Sequence, residues 1–244
     1  MCGRYAQSKN MADLVEEFSI TGLTPISPLP ANWNIAPTQE IYIVRQRPQT
    51  QDGARELATA SWGLIGHWHK DDAQARASQS HAINARSESV FEKPTFRDSF
   101  RKRRCLIPAD GYYEWATALG QYRPKQPFYI SRGDGHSLSM AGIWSQWTGP
   151  NGQVVESASI ITREAVGMLI PIHSRMPVLL PPDRWERWLD PSEKEIAELR
   201  ALMEFSEPDR GLTAHAVSDK VNFTSNNGPS MTEPITLGEP ETLF

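Results

Sequence analysis

The stretch CLIPADGYYEW, residues 105–115, reads as β-strand, and so do the runs around it: EIYIVRQ (40–46), LATASWGLI (57–65), PFYISRG (127–133), SLSMAGIW (137–144), ESASIIT (156–162) and MPVLL (176–180). All are short, apolar and rich in β-branched or aromatic residues. Asp134-Gly135 and Asn151-Gly152 punctuate them with dipeptides that tight hairpin turns prefer. Helical spacing belongs to the flanks. Met11, Leu14, Val15 and Phe18 recur at i, i+3, i+4 and i+7 over residues 10–18, behind Asn10 as N-cap. Two later helices are expected at about 182–189 and 192–203, the second opening on a Ser192/Glu195 capping box. The polar segment HKDDAQARASQS (69–80) reads as a surface loop. Strands in runs with helices at the ends predict one α+β domain, built on a mostly antiparallel, barrel-like sheet with peripheral helices.

At 244 residues, with 39% apolar and 22% charged side chains, the chain has the means to bury a core and no signature of disorder or low complexity. No apolar run reaches the length of a spanning helix, and MCGRYAQSKN is no secretory signal, so a cytoplasmic protein without a membrane partner is expected. Two cysteines, Cys2 and Cys105, support neither a disulfide framework nor a zinc site. The histidines lack metal-ligand spacing, and no dinucleotide or phosphate-loop fingerprint occurs, so neither metal nor cofactor is expected. The net charge of −4 conceals a basic stretch: residues 85–104 hold seven Lys and Arg against three Asp and Glu. That distribution permits phosphate binding on one face without demanding it.

Cys2 is the most informative residue. Removal of Met1 would leave an N-terminal 1,2-aminothiol, whose α-amine has a reference pKa of about 7.7–8.0 against about 10.4 for lysine. A usable fraction of neutral amine is therefore present at pH 7, and the thiol can close onto an imine that this amine forms, giving a five-membered thiazolidine. An aldehyde is the electrophile that engages both groups. Glu114 in DGYYEW, Asn84 in INARSE and His173 in PIHSRMP are further candidates. Taken singly, each also has an ordinary structural reading: a small buried cysteine, a solvent-facing glutamate, a turn asparagine, a loop histidine.

Five motifs then occur in order: MCGRYAQS at the start, NWNIAPTQ (32–39), INARSES (83–89), CLIPADGYYEW (105–115) and IHSRMPVLL (172–180). In identity and spacing they resemble the SRAP (SOS-response-associated peptidase) family over residues 2–235, leaving 236–244 as a tail. The resemblance implies an abasic-site processing protein that links its N-terminal cysteine, as a thiazolidine, to the ring-opened sugar in single-stranded DNA. It also implies an autopeptidase that exposes the cysteine. The site carried over is Cys2, Asn84, Glu114 and His173 for catalysis, with Arg4, Pro37, Trp68, Arg86, Trp115 and Arg175 toward DNA. His173 would donate a proton to the sugar oxygen, Glu114 would shuttle protons, and Asn84 would hold sugar and cysteine in register. The arginines suit phosphates and the tryptophans suit unpaired bases. The partner would be single-stranded DNA containing abasic sites, with single-strand/double-strand junctions in range, and the chain a monomer. Trp62, Trp144 and Trp147 are assigned to the core and Trp185 and Trp188 to a helix face. The chain departs from the family pattern at Val166, where many relatives carry asparagine.

Overall fold

The computed structural model describes residues 2–47, 53–117 and 122–237; residues 238–244, the end of the expected tail, lie outside them. Five strands close into a barrel: β3 (Glu40–Arg45), β4 (Glu56–Trp62), β6 (Arg104–Ala109), β9 (Leu138–Thr148) and β10 (Val154–Glu164). The ring runs β10–β4–β3–β6–β9 and returns to β10. β5 (Asn84–Arg86) and β11 (Arg175–Pro177) pair on the far end of β10, which outruns its barrel neighbours. Among the described pairings only β10–β4 and β10–β5 are parallel.

A second, fully antiparallel sheet has the order β12–β8–β7–β1–β2, formed by Leu212–Ala216, Pro127–Arg132, Gly111–Trp115, Tyr5–Gln7 and Asn32–Ile35. The fold is α+β in one domain, as expected. CLIPADGYYEW is not one strand, however. It is β6 and β7 with a corner at Asp110, where the chain leaves the barrel for the second sheet. Asp110 fixes that corner by accepting from the Ser8 amide and hydroxyl. Gly111 makes it possible, because a Cβ there would stand 2.4 Å from the Tyr129 ring.

Barrel strands are buried on both faces, which explains the unbroken apolar run of EIYIV. Ile41 and Ile43 face a core shared with the second sheet, where Tyr5, Trp62, Ile107, Tyr112 and Met140 meet. Tyr42 and Val44 face outward under α1 (Met11–Glu17), α3 (Arg97–Lys102), α4 (Trp185–Leu189) and α5 (Ile196–Met203). Trp62, Trp144 and Trp147 are buried, and Trp185 and Trp188 pack from α4 against this outer layer.

Two expectations need correction. Residues 69–80 are not a loop, because Asp72–His81 forms α2, capped by the Asp71 side chain accepting from the Gln74 amide at 2.9 Å. Its apolar stripe is a single buried alanine, Ala75, with Gln79 buried beside it, so hydrophobic periodicity could not reveal it. The Ser192/Glu195 capping box does not form. Ser192 donates instead to the Asp190 carboxylate from its amide (2.8 Å) and its hydroxyl (2.7 Å), a closer local acceptor, and α5 starts after Glu195. No helix among the described residues is long and apolar enough to cross a membrane.

Candidate active site

Cys2 precedes β1 and is fully buried in the core between barrel and sheet. Its carbonyl accepts a 2.7 Å hydrogen bond from Asn84 Nδ2. Asn84 reaches it because β5 is held parallel to β10, with Asn84 opposite Ile160. The remaining amide oxygen, Asn84 Oδ1, is buried without a hydrogen-bond partner among the described residues. Burial pushes the Cys2 thiol well above its ordinary value, and Glu114 adds to the effect. Burial therefore favours the neutral thiol over the thiolate.

Glu114 is only 3% exposed, which overturns the solvent-facing alternative for an alternating strand. Alternation along β7 instead sends Tyr112 and Glu114 toward Cys2, and Tyr113 and Trp115 toward the opposite face. Burial is the main cause that raises its carboxyl to about 7, so it can both take and give a proton near neutrality. His173 Nε2 lies 3.9 Å from Glu114 Oε2, longer than a hydrogen bond. The Arg175 amide donates to His173 Nδ1 at 2.9 Å, so the neutral ring carries its proton on Nε2, toward Glu114. Burial lowers the His173 pKa, which keeps the ring neutral at physiological pH. Glu114, His173 and Trp115 share the wall of a cavity of about 510 Å³ with Ala116, Thr117, Pro124 and Lys125.

The other expected residues are distributed differently. Arg4 donates from one nitrogen to Asn34 Oδ1 (2.8 Å) and to the Val221 carbonyl (2.7 Å), and its guanidinium lies 6.0 Å from the Trp115 ring centre. Trp115 Nε1 donates to Asn222 Oδ1 at 2.7 Å. The Arg175 fork is filled by Glu88, at 2.6 and 2.9 Å, and by the Thr162 carbonyl at 2.8 Å. Arg86 is exposed at the end of β5, on the same strand face as Asn84. Pro37 is half-buried just after β2. Trp68 is 45% exposed on the segment leading into α2, its ring against those of His67 and His69. Val166 packs against the core that holds Cys2.

Lys125 and Asn222 were not anticipated. Each reaches the site through contacts that no local pattern announces, Asn222 across 107 residues of chain. A larger cavity of about 1470 Å³ lies under α1 and α4, and several of its charged groups pair within its lining, as Lys9–Glu17 and Arg132–Asp134.

A family model described as "SOS response associated peptidase (SRAP)" matches residues 1–224. The chain is 32% identical to the abasic site processing protein YoqW of Bacillus subtilis, over 96% of this chain and 99% of that one. It is 34% identical to the mouse abasic site processing protein HMCES, over 75% of this chain and 58% of that longer protein. A crystal structure of a Bacteroides thetaiotaomicron protein superposes with a TM-score of 0.83 at 26% identity, covering 96% of this chain and 100% of that one. One from Bordetella bronchiseptica gives 0.74 at 28% identity, covering 89% and 100%. Motif order, barrel and family match agree, and the chain belongs to the SOS response associated peptidase (SRAP) family.

Proposed function

We propose that this protein processes abasic sites in single-stranded DNA by forming a covalent thiazolidine between Cys2 and the ring-opened sugar. One observation carries the reading. The residue that becomes N-terminal on loss of Met1 is bonded through its carbonyl to an asparagine and packs beside the buried carboxyl of a carboxyl–imidazole pair that itself lines a cavity. Relatives named as abasic site processing proteins supply the substrate class.

The chemistry runs in balanced steps. The abasic sugar is mostly a closed hemiacetal. Its C1′–O4′ bond breaks as O4′ takes a proton from His173 Nε2 and the C1′ hydroxyl gives one to Glu114. The Cys2 amine adds to C1′, and water departs with one proton from Glu114 and one from the amine, whose other proton restores His173, leaving an imine. The thiol sulfur then adds to C1′, its proton passing by way of Glu114 to the nitrogen. The net change is aldehyde plus aminothiol to thiazolidine plus water. Asn84 fixes the Cys2 backbone, and its buried Oδ1 is an acceptor for the amine or a sugar hydroxyl. The lyase character lies in the imine, and a slow reversal would pass back through it. Exposure of the amine requires loss of Met1, which the family's peptidase description allows the protein to perform itself.

Intact mass spectrometry after incubation with an abasic oligonucleotide tests the reading. The expected species is the chain beginning at Cys2 plus the oligonucleotide minus one water, stable to heat. It should be absent in Cys2→Ala. An equal yield of heat-stable adduct in Cys2→Ala, or none in the wild type when it begins at Cys2, would overturn the proposal. Cleavage of peptides without DNA linkage would point to a general N-terminal-nucleophile peptidase instead.

A further inference from the structure

We infer that Lys125 is a phosphate-binding residue of the DNA site, holding the phosphodiester beside the abasic sugar; the inference rests on the DNA reading above. Two of the three expected arginines are engaged inside the protein. Arg4 is tied to Asn34 and Val221, and the Arg175 fork is closed by the Glu88 carboxylate, which has the two-oxygen geometry a phosphate would offer. The third, Arg86, is exposed but does not line the cavity, whose one Lys or Arg among the described lining residues is Lys125. Lys125 lines that cavity together with Glu114 and His173, and it is exposed.

Its backbone is held there against its intrinsic preference. The φ angle is +68°, the left-handed region that a lysine rarely adopts. The Lys125 amide donates to the Ala116 carbonyl at 2.8 Å, and the Ala116 amide donates to the Gln126 carbonyl at 2.8 Å. Lys125 is thus clamped to the strand end that carries Glu114, two residues before Ala116. A strained non-glycine residue at a pocket mouth marks a position where the side chain, not the turn, decides the residue type. An ammonium on a flexible stem, close to a buried carboxyl and a neutral imidazole, suits the backbone phosphate of the strand whose sugar enters.

Lys125→Gly tests this cleanly, because glycine adopts positive φ without cost and the turn is preserved. Binding of an undamaged single-stranded oligonucleotide is measured by fluorescence anisotropy at several salt concentrations. Loss of one phosphate contact should weaken binding roughly 3- to 10-fold and reduce the log–log salt slope by about 0.7. Lys125→Arg should restore the slope, and Lys194→Gln, at an exposed position just before α5 and outside the cavity lining, should leave it at the wild-type value. A wild-type slope and affinity in Lys125→Gly would overturn the inference. Adduct formation by the wild-type protein on an abasic oligonucleotide is scored in parallel. An adduct with no Lys125 effect sinks this inference alone, whereas a Lys125 slope effect without any adduct sinks the covalent reading and leaves the phosphate contact standing.

Discussion

Two buried clusters of charge in this molecule are built on opposite terms. In the barrel wall, Arg45 (2% exposed) meets the carboxylates of Glu56 at 3.3 Å and Glu156 at 2.7 Å, and its guanidinium lies 4.3 Å from the Trp144 ring centre. Arg47 brackets the same two acids at 3.0 and 3.1 Å. Two guanidinium groups meet two carboxylates there. At the site, Glu114 faces a neutral imidazole at 3.9 Å and a thiol held protonated by burial. Its carboxyl is raised to about 7 rather than locked as an anion. Full pairing gives a rigid wall. Where burial dominates instead, the carboxyl changes its proton near neutrality, as acid–base chemistry requires.

The sharpest way to break this contrast is Glu114→Gln. Crosslinking to an abasic oligonucleotide should slow on the order of 10³-fold, while undamaged DNA binds as before. The same substitution should stabilise the fold at high pH. A carboxyl raised from about 4.5 to about 7 favours the folded state while protonated, and that advantage is lost as pH rises through this window. The wild type thus loses about 3 kcal/mol that the neutral amide does not, and thermal melts of the two should diverge from pH 4.5 to 8. Melts that stay parallel over this range would remove the buried-acid account.

Next in size is Arg45→Met. It leaves Glu56 buried with Arg47 as its one remaining guanidinium partner among the described residues, and should cost about 3 kcal/mol, roughly 6–12 °C in melting temperature. The adduct rate at 25 °C should be unchanged, since the wall takes no part in the chemistry. His173→Gln should slow adduct formation about 10²-fold, with the loss smallest for a ring-opened aldehyde substrate, because its proton is needed to open the sugar. The least effect belongs to Asn222→Ala, which removes one hydrogen bond from Trp115 and should weaken binding of single-stranded DNA by about 1 kcal/mol, read by anisotropy.

Legibility of the fold varied from element to element for physical reasons. Strands such as PFYISRG and SLSMAGIW announced themselves because an apolar run bounded by Asp-Gly or Asn-Gly is local information. The three-residue β1 and β5 could not, since each exists only through its pairing to a distant partner, and of the expected strand MPVLL only Met176 and Pro177 belong to one, β11. The barrel closes through β10, whose parallel partners β4 and β5 lie far back in the chain. For α2, helix formation rests on one cap and one buried alanine, too little for a periodic signal. The candidate residues could be proposed as a set because five motifs fall in order, yet their ordinary alternatives stayed open one by one. Only the buried position of Glu114 removed one of them.

By itself, the sequence determined which chemical groups were on offer: a cysteine one residue from the start, a carboxyl, an imidazole and an amide, set in an α+β strand pattern. Tertiary structure alone decided their state. Desolvation by segments remote in the chain raises Glu114 and the Cys2 thiol, a backbone amide selects the His173 tautomer, and Glu88 occupies Arg175. Residue identity is written locally, but charge state and availability depend on the medium and the neighbours, and those are assembled only when the barrel and the second sheet meet.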